Sequence, residues 1–340
     1  MSARQPWPRW GPLPRSPRRH RLRVLVVLGM VAALALFGLG AGALRWGTDH
    51  YGDQVARIPD AFPAGPRPPR PAAHDGGRTF LLAGLDSRSE RHTTGSDATA
   101  RLWTYGAQRS DALMLVHLGG EGHGVHVLSI PRDSWVPVPG HGSAKINAAF
   151  SWGGPPLMIR TVERFAGTRV DHFGVIDWNG FKALTDAVGG VTVTVHEDSY
   201  DAARHRRWTA GPHVLRGADA LAYVGQRYGL PRGDLDRITR QQQFLRGLIG
   251  RIRDRVDLTD PLGTARTLDA VTRTLSVDDR MSNSDLRDLV FGLRDLDASD
   301  VHFATAPVLR SETIGGQSVL VLDRAKLRAR WHAVETGAVD

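Results

Sequence analysis

The stretch TFLLAGLDSR, residues 79–88, carries the reading of the fold: a short apolar run that ends in Asp86, Ser87 and Arg88. A run of that length, closed by polar residues, suits a buried strand better than a helix. Working outward, two more such runs follow at Ala112–Leu118 and Val125–Ile130, and a polar loop, Glu90–Gln108, separates the first two. Helical patterns then alternate with short strands. Pro155–Phe165 and Phe181–Val188 read as helices, His172–Ile176 and Val191–Val195 as strands. Long amphipathic helices are predicted at Asp234–Arg253 and Ser284–Leu293. Strands at Val301–Thr305 and Val319–Leu322 precede a last helix, Arg324–Ala333. Such alternation predicts an α/β fold, a single α-β-α sandwich with helices on both faces of one sheet. No break in composition divides residues 78–340, so they read as one domain.

The chain upstream is different in kind. Residues 1–23 hold seven arginines and no acid, which accounts for most of the formal charge of +9 and leaves about +2 elsewhere. The excess therefore belongs to a basic tail, and no nucleic-acid-binding face is expected. From Val24 to Leu44 there are 21 residues without a charge, long enough as a helix to cross a hydrocarbon core of roughly 30 Å. With the arginines on its N-terminal flank, this span predicts a single-pass anchor in the cell membrane, the N-terminus cytoplasmic and the rest extracytoplasmic. Residues 45–77, rich in Pro and Gly, read as a semi-rigid extracytoplasmic stalk. The absence of cysteine excludes disulfides and thiolate metal sites.

Chemistry gathers at strand ends. Asp86-Ser87-Arg88 closes the first run, Arg109-Ser110-Asp111 opens the second, and Pro131-Arg132-Asp133-Ser134 follows the third. Carboxylates at such points can hold a hard cation such as Mg²⁺, and guanidinium groups can hold phosphate. Further on, Asp234, Arg237 and Gln241 share one face of a helix, and Phe244 and Leu248 continue it as an apolar stripe. A phosphate at the polar start could have its hydrocarbon run along that stripe. Taken singly, each cluster also reads as a capped turn or a surface ion pair.

These segments resemble the LytR–CpsA–Psr family of bacterial cell-envelope proteins. The matching stretches are LLAGLDSR (81–88), RSDALMLVHL (109–118), LSIPRDSWVPVPG (128–140), KINAAFSWGGP (145–155), VDHFGVIDWNGFKALTDAVGGV (170–191) and GDLDRITRQQQFL (233–245). The motif-bearing core spans roughly residues 78–250. The resemblance implies a mixed central sheet and a membrane-anchored phosphotransferase. Such an enzyme moves a glycopolymer (a teichoic acid, for example) from a polyprenyl-pyrophosphate carrier onto peptidoglycan. It implies Mg²⁺ on Asp86 and Asp111. It also implies pyrophosphate held by Arg132, Arg227 and Arg237, with Asp234 and Gln241 in the same site and Arg109 and Lys145 as weaker candidates. Catalysis would fall to Asp86, Asp111, Arg132 and Arg227, and Asp234 is a guess for the general base. The implied partners are a polyprenyl-pyrophosphate-linked glycan, peptidoglycan and the lipid bilayer.

There is one departure: Tyr223-Val224-Gly225-Gln226-Arg227 stands where the family has Tyr-Val-Arg-x-Arg. A neighbour such as Arg232 is one replacement for the missing arginine. Two other readings stay open, a polyprenyl-pyrophosphate phosphatase with water as acceptor, and a non-catalytic lipid-binding or regulatory protein.

Overall fold

The computed structural model describes residues 55–86, 91–120, 124–255, 269, 272–286 and 300–339. The basic tail, the apolar span 24–44 and all but the start of the helix expected over Ser284–Leu293 lie outside the described residues. Among the described residues no helix is long and apolar enough to cross a membrane.

In chain order the first half runs β1 (Ala56–Ile58), β2 (Arg78–Asp86), β3 (Arg109–Leu118), β4 (Val125–Ser129), the hairpin β5 (Trp135–Val138) and β6 (Gly142–Lys145), α1 (Asn147–Ala166), β7 (His172–Asp177) and α2 (Trp178–Ala187). The second half runs β8 (Val191–Val195), β9 (Ser199–Asp201), β10 (Arg206–Trp208), β11 (Gly211–Leu215), α3 (Gly217–Gly225), α4 (Asp234–Arg255), β12 (Leu275–Asp278), β13 (Val301–Thr305), the hairpin β14 (Val308–Ile314) and β15 (Gln317–Leu322), and α5 (Arg324–Glu335). Seven strands form the central sheet in the order β1-β12-β7-β2-β3-β4-β13. It is mixed: β2 lies parallel to β7 and antiparallel to β3, and β4 is antiparallel to β3 and parallel to β13.

Alternation along β2 sorts the two faces. Leu81, Ala83 and Leu85 join Phe150, Met158, Ile159 and Val162 of α1 and Leu327 and Trp331 of α5 in one core. Phe80, with Leu82 at its margin, faces the other way, where Leu245 and Ile249 of α4 pack. The expected helix–sheet–helix layering follows. A third cluster joins Leu184 near the end of α2, β8, α3 and α4, and buries Trp208, Tyr223, Phe244 and Leu248. The stripe expected to follow a hydrocarbon is therefore packed against protein at Phe244 and Leu248.

Residues 55–77, expected as part of a stalk, are docked on the domain. β1 pairs in parallel with β12, and Val55, Ile58, Ala61 and Phe62 are buried. Further on, Arg67 pairs with the buried Glu163, Arg70 with Asp171, and Asp75 with His117. Pro and Gly content reports local backbone preference, whereas a few apolar residues with slots in a distant core decide whether the segment docks. The helix predicted from Pro155 starts at Asn147 instead, and it is kinked at Gly153 and Gly154, ahead of Pro155 and Pro156. Gly154 has φ +59, and a Cβ there would stand 3.0 Å from the Trp103 ring. The 91–108 loop rests on this notch. Trp103 Nε1 donates to the Ser151 carbonyl at 3.2 Å.

Candidate active site

β2 and β3 place two carboxylates at one end of the sheet by an irregular register. Gly84 lies opposite Ala112, but Leu85 lies opposite Ser110 and Asp86 opposite Arg109, so Asp111 is the extra residue of a β-bulge. A bulge re-aims the side chain it carries. Here it brings Asp111 to the same cavity as Asp86 and Arg109. The loop after β4 adds Arg132 and Asp133, the end of β6 adds Lys145, the start of α1 adds Asn147, the segment after α3 adds Arg227, and the start of β15 adds Gln317. The cavity measures about 280 Å³.

Its charges are unevenly matched. Arg132 donates to Asp111 and lies 3.8 Å from Asp133 and 3.9 Å from Asp234. Burial works against its charge, but the Asp111 carboxylate outweighs that and raises its pKa. Lys145 Nζ pairs with Asp133 at 2.9 Å. Arg227 donates through Nη2 to Tyr228 Oη at 2.9 Å, with the guanidinium over the ring, and acts on the Asp234 carboxylate without a direct ion pair among the described residues. Among the described residues neither Arg109 nor Arg227 forms a direct ion pair, so both guanidinium groups face the cavity with hydrogen-bonding capacity that no carboxylate there takes up. Such a lining suits a multiply charged anion, and guanidinium groups match phosphate oxygens bidentately.

Behind this lining sits a second layer. Arg237, 3% exposed, pairs with Asp234 at 2.7 Å and donates to the Asp111 carbonyl at 3.4 Å. Burial pushes Asp234 above the ordinary carboxylate range despite the pull of Arg237, Arg132 and Arg227, and burial lowers Arg237 as well. Neither residue is among those that line the cavity, although Asp234 lies 3.9 Å from the lining Arg132. Arg237 buttresses the bulge from beneath. Gln241, one turn on, donates to the Val224 carbonyl at 3.3 Å and ties α4 to α3. It too sits outside the lining. Asp86, Arg109, Asp111, Arg132, Lys145 and Arg227 do meet in it, joined by Asp133, Asn147 and Gln317. Asp133 and Asn147 lay within recognised stretches but carried no assigned role. Gln317 follows a Gly-Gly turn and gave no signal at all.

A different arginine from the one expected packs against Gly225, and it does not line the cavity. Arg232 pairs with Asp236 in an i,i+4 contact on the surface. Arg204 instead lies against Gly225. Its Nη1 reaches the Gly225 carbonyl at 3.3 Å and Asp201 at 2.9 Å, and its Nη2 stands 3.0 Å from where a Cβ at 225 would be.

The donor set also bears on a metal. Mg²⁺ keeps several waters and takes one or two carboxylates together with substrate phosphates. Asp86 and Asp111 fit that pattern. Among the described residues no group of three or more His, Asp or Glu suited to a metal occurs. Arg132 holds Asp111 here, so a cation would share or displace that contact.

The LytR_cpsA_psr family profile matches residues 62–336. The chain belongs to the LytR–CpsA–Psr family. It is 31% identical to the cell wall biosynthesis protein LcpA of Corynebacterium glutamicum over 289 residues, covering 76% of this chain and 55% of LcpA. It is 37% identical over 142 residues to TagU of Bacillus cereus, a polyisoprenyl-teichoic acid–peptidoglycan teichoic acid transferase, covering 42% of this chain and 46% of TagU. The chain thus spans about half the length of these curated relatives. A LytR-Csp2A-Psr enzyme from Actinomyces oris has the same fold, with a TM-score of 0.63 at 21% identity over 82% of this chain and 96% of that one.

Proposed function

We propose that this family member is a phosphotransferase that moves a glycopolymer from a polyprenyl-pyrophosphate carrier onto peptidoglycan, leaving a phosphodiester. The observation that carries the reading is the pair Arg109 and Arg227, two cations with no direct ion pair among the described residues, in a cavity that also holds the carboxylates Asp86 and Asp111. The transferase name of TagU and the cell-wall name of LcpA point the same way. We further propose that residues 24–44 anchor the chain in the cell membrane with this site outside, beside the bilayer that confines a polyprenyl carrier.

Phosphoryl transfer depends mainly on positioning and on neutralising charge. In this reading Arg109 and Arg227 take the pyrophosphate oxygens, and Arg132, held by Asp111, stands between phosphate and carboxylate. Asp86 and Asp111 would hold Mg²⁺, which when bound neutralises phosphate oxygens. An acceptor sugar hydroxyl attacks the glycan-bearing phosphorus. The new P–O bond forms as the bond to the bridging oxygen breaks, and polyprenyl phosphate leaves. Asp133, which Lys145 holds and the cation does not need, takes the hydroxyl proton.

The test is turnover of a labelled polyprenyl-pyrophosphate glycan with peptidoglycan and Mg²⁺. Arg227→Ala should lower kcat by about 10²-fold, as expected on losing one charge-stabilising donor. Label found on peptidoglycan supports transfer. Label released to water with free phosphate instead would replace transfer by hydrolysis, and unchanged turnover in Arg227→Ala would remove that arginine from the mechanism.

A further inference from the structure

Two neutral amides in the cavity have no work to do in neutralising phosphate. Asn147 is only 7% exposed and lines the cavity at the first position of α1. Its backbone N–H is used, donating to the Arg132 carbonyl at 3.3 Å. Its side-chain amide has no hydrogen-bond partner among the described residues. A nearly buried amide carries two donors and an acceptor that ordinarily find partners. With no protein group supplying them, the partner is whatever enters the cavity.

Gln317 is the second amide, and the fold places it with some care. It lies at the start of β15, directly after a Gly315-Gly316 turn with φ +56 and +77. Paired glycines at positive φ close a two-residue hairpin, and that geometry sets where the next side chain emerges. The hairpin is fixed to the loop that carries Arg132 and Asp133. Leu320 N–H donates to the Asp133 carbonyl at 3.0 Å, and Ser134 bridges Leu320 in parallel. Gln317 is exposed at the rim, and its side chain likewise has no partner among the described residues. An exposed glutamine alone would mean little. Its convergence with a buried, unpartnered asparagine on one cavity, from elements 170 residues apart in sequence, is the informative feature.

An amide is a poor ligand for phosphate beside arginines, but it both donates and accepts, as a sugar hydroxyl or an N-acyl group requires. From this juxtaposition we infer that Asn147 and Gln317 form a saccharide subsite, which reads hydroxyl or N-acyl groups of a sugar next to the reacting phosphate. The inference rests on the phosphotransferase reading only for the identity of the neighbouring group. The sugar belongs either to the glycan on the carrier or to the peptidoglycan acceptor, which share this chemistry.

Equilibrium binding tests it without turnover. The full chain in detergent is titrated with three probes: a polyprenyl pyrophosphate lacking sugar, the same lipid bearing a disaccharide, and a peptidoglycan disaccharide fragment. Wild type is compared with Gln317→Ala and Asn147→Ala, both of which remove the amide without bringing a charge into the cavity. Loss of one neutral hydrogen bond corresponds to about three- to ten-fold in affinity. Both variants should weaken a sugar-bearing probe by that factor and bind the sugar-free lipid as wild type does. Weakening for the lipid disaccharide assigns the subsite to the donor glycan, and weakening for the fragment assigns it to the acceptor. If wild type gains nothing from sugar on either probe, or if Gln317→Ala leaves all three affinities unchanged, the subsite is refuted. Equal weakening for all three probes refutes it too, because the amides would then act through the fold or the phosphate. Failure of the wild type to bind the sugar-free pyrophosphate would instead count against the phosphate reading and leave the saccharide comparison intact.

Discussion

At the scale of single residues, Arg237 shows how a motif residue can serve chemistry without touching it. Its guanidinium lies behind the cavity, against Asp234 and the carbonyl of the bulged Asp111. Arg237→Ala takes from the buried Asp234 its 2.7 Å partner and leaves only the looser pull of Arg132 at 3.9 Å, and breaking a buried pair typically costs up to about 3–5 kcal/mol. The variant should show that loss in urea unfolding as well as in turnover, whereas Arg227→Ala, half-buried at the cavity wall, should lose turnover with near-normal stability. Glu335 offers a separate test at the same scale. Burial pushes its carboxyl up from 4.5 to about 6, while Thr168 donates to it. Below pH 4.5 it is protonated in both folded and unfolded chains, with no penalty. As pH rises toward 6 the unfolded chain ionises first, and above 6 the folded state carries the full cost, about 2 kcal/mol. Wild type should therefore lose stability between pH 4.5 and 7, and Glu335→Gln should flatten that slope in urea midpoints taken across the range.

At the scale of elements, two features decide how the cavity is walled. The kink of α1 exists because Gly153 and Gly154 leave helical geometry, and Gly154, at φ 59 and ψ −154, occupies a region essentially reserved for glycine. Gly154→Ala should destabilise the protein by about 1–3 kcal/mol through backbone strain, with the Trp103 ring as a further clash. The 91–108 loop should become readily cleaved by protease, and retention of wild-type resistance would show that Trp103 does not depend on this notch. The second feature is Gln242 of α4, whose amide donates to Ser129 Oγ and the Ala304 carbonyl, both at 2.9 Å, and so staples the helix across β4 and β13. The pattern of α4 was readable because amphipathic spacing is local. Its partners were not, since nothing in a periodicity says which of two cores will take Phe244. The same limit hid the hairpin arm: β14 is mostly exposed and lacks the apolar run that marks the central strands.

At the scale of the whole molecule, the proposed anchor and the proposed chemistry depend on each other. A carrier lipid stays in the bilayer, so a site held beside it meets a high local concentration of donor. Removing residues 1–45 should move the protein from the membrane to the soluble fraction, and should lower turnover of long-chain carrier in vesicles more than turnover of a short, soluble analogue. Recovery of the truncated protein in the membrane pellet would count against the anchor.

The sequence by itself determined the strand-and-helix alternation, the layering around one sheet, the family and six of the nine side chains that line the cavity. These follow from local periodicity and from short motifs whose residues stay close along the chain. Tertiary structure alone decided that Asp111 sits on a bulge, that residues 55–77 dock instead of forming a stalk, that Asp234, Arg237 and Gln241 lie outside the lining, and that Gln317 joins its rim. Each of those outcomes depends on a contact between residues far apart in the chain. Such contacts form only when the register of the sheet and the packing of its two faces are fixed together, and no local pattern records them.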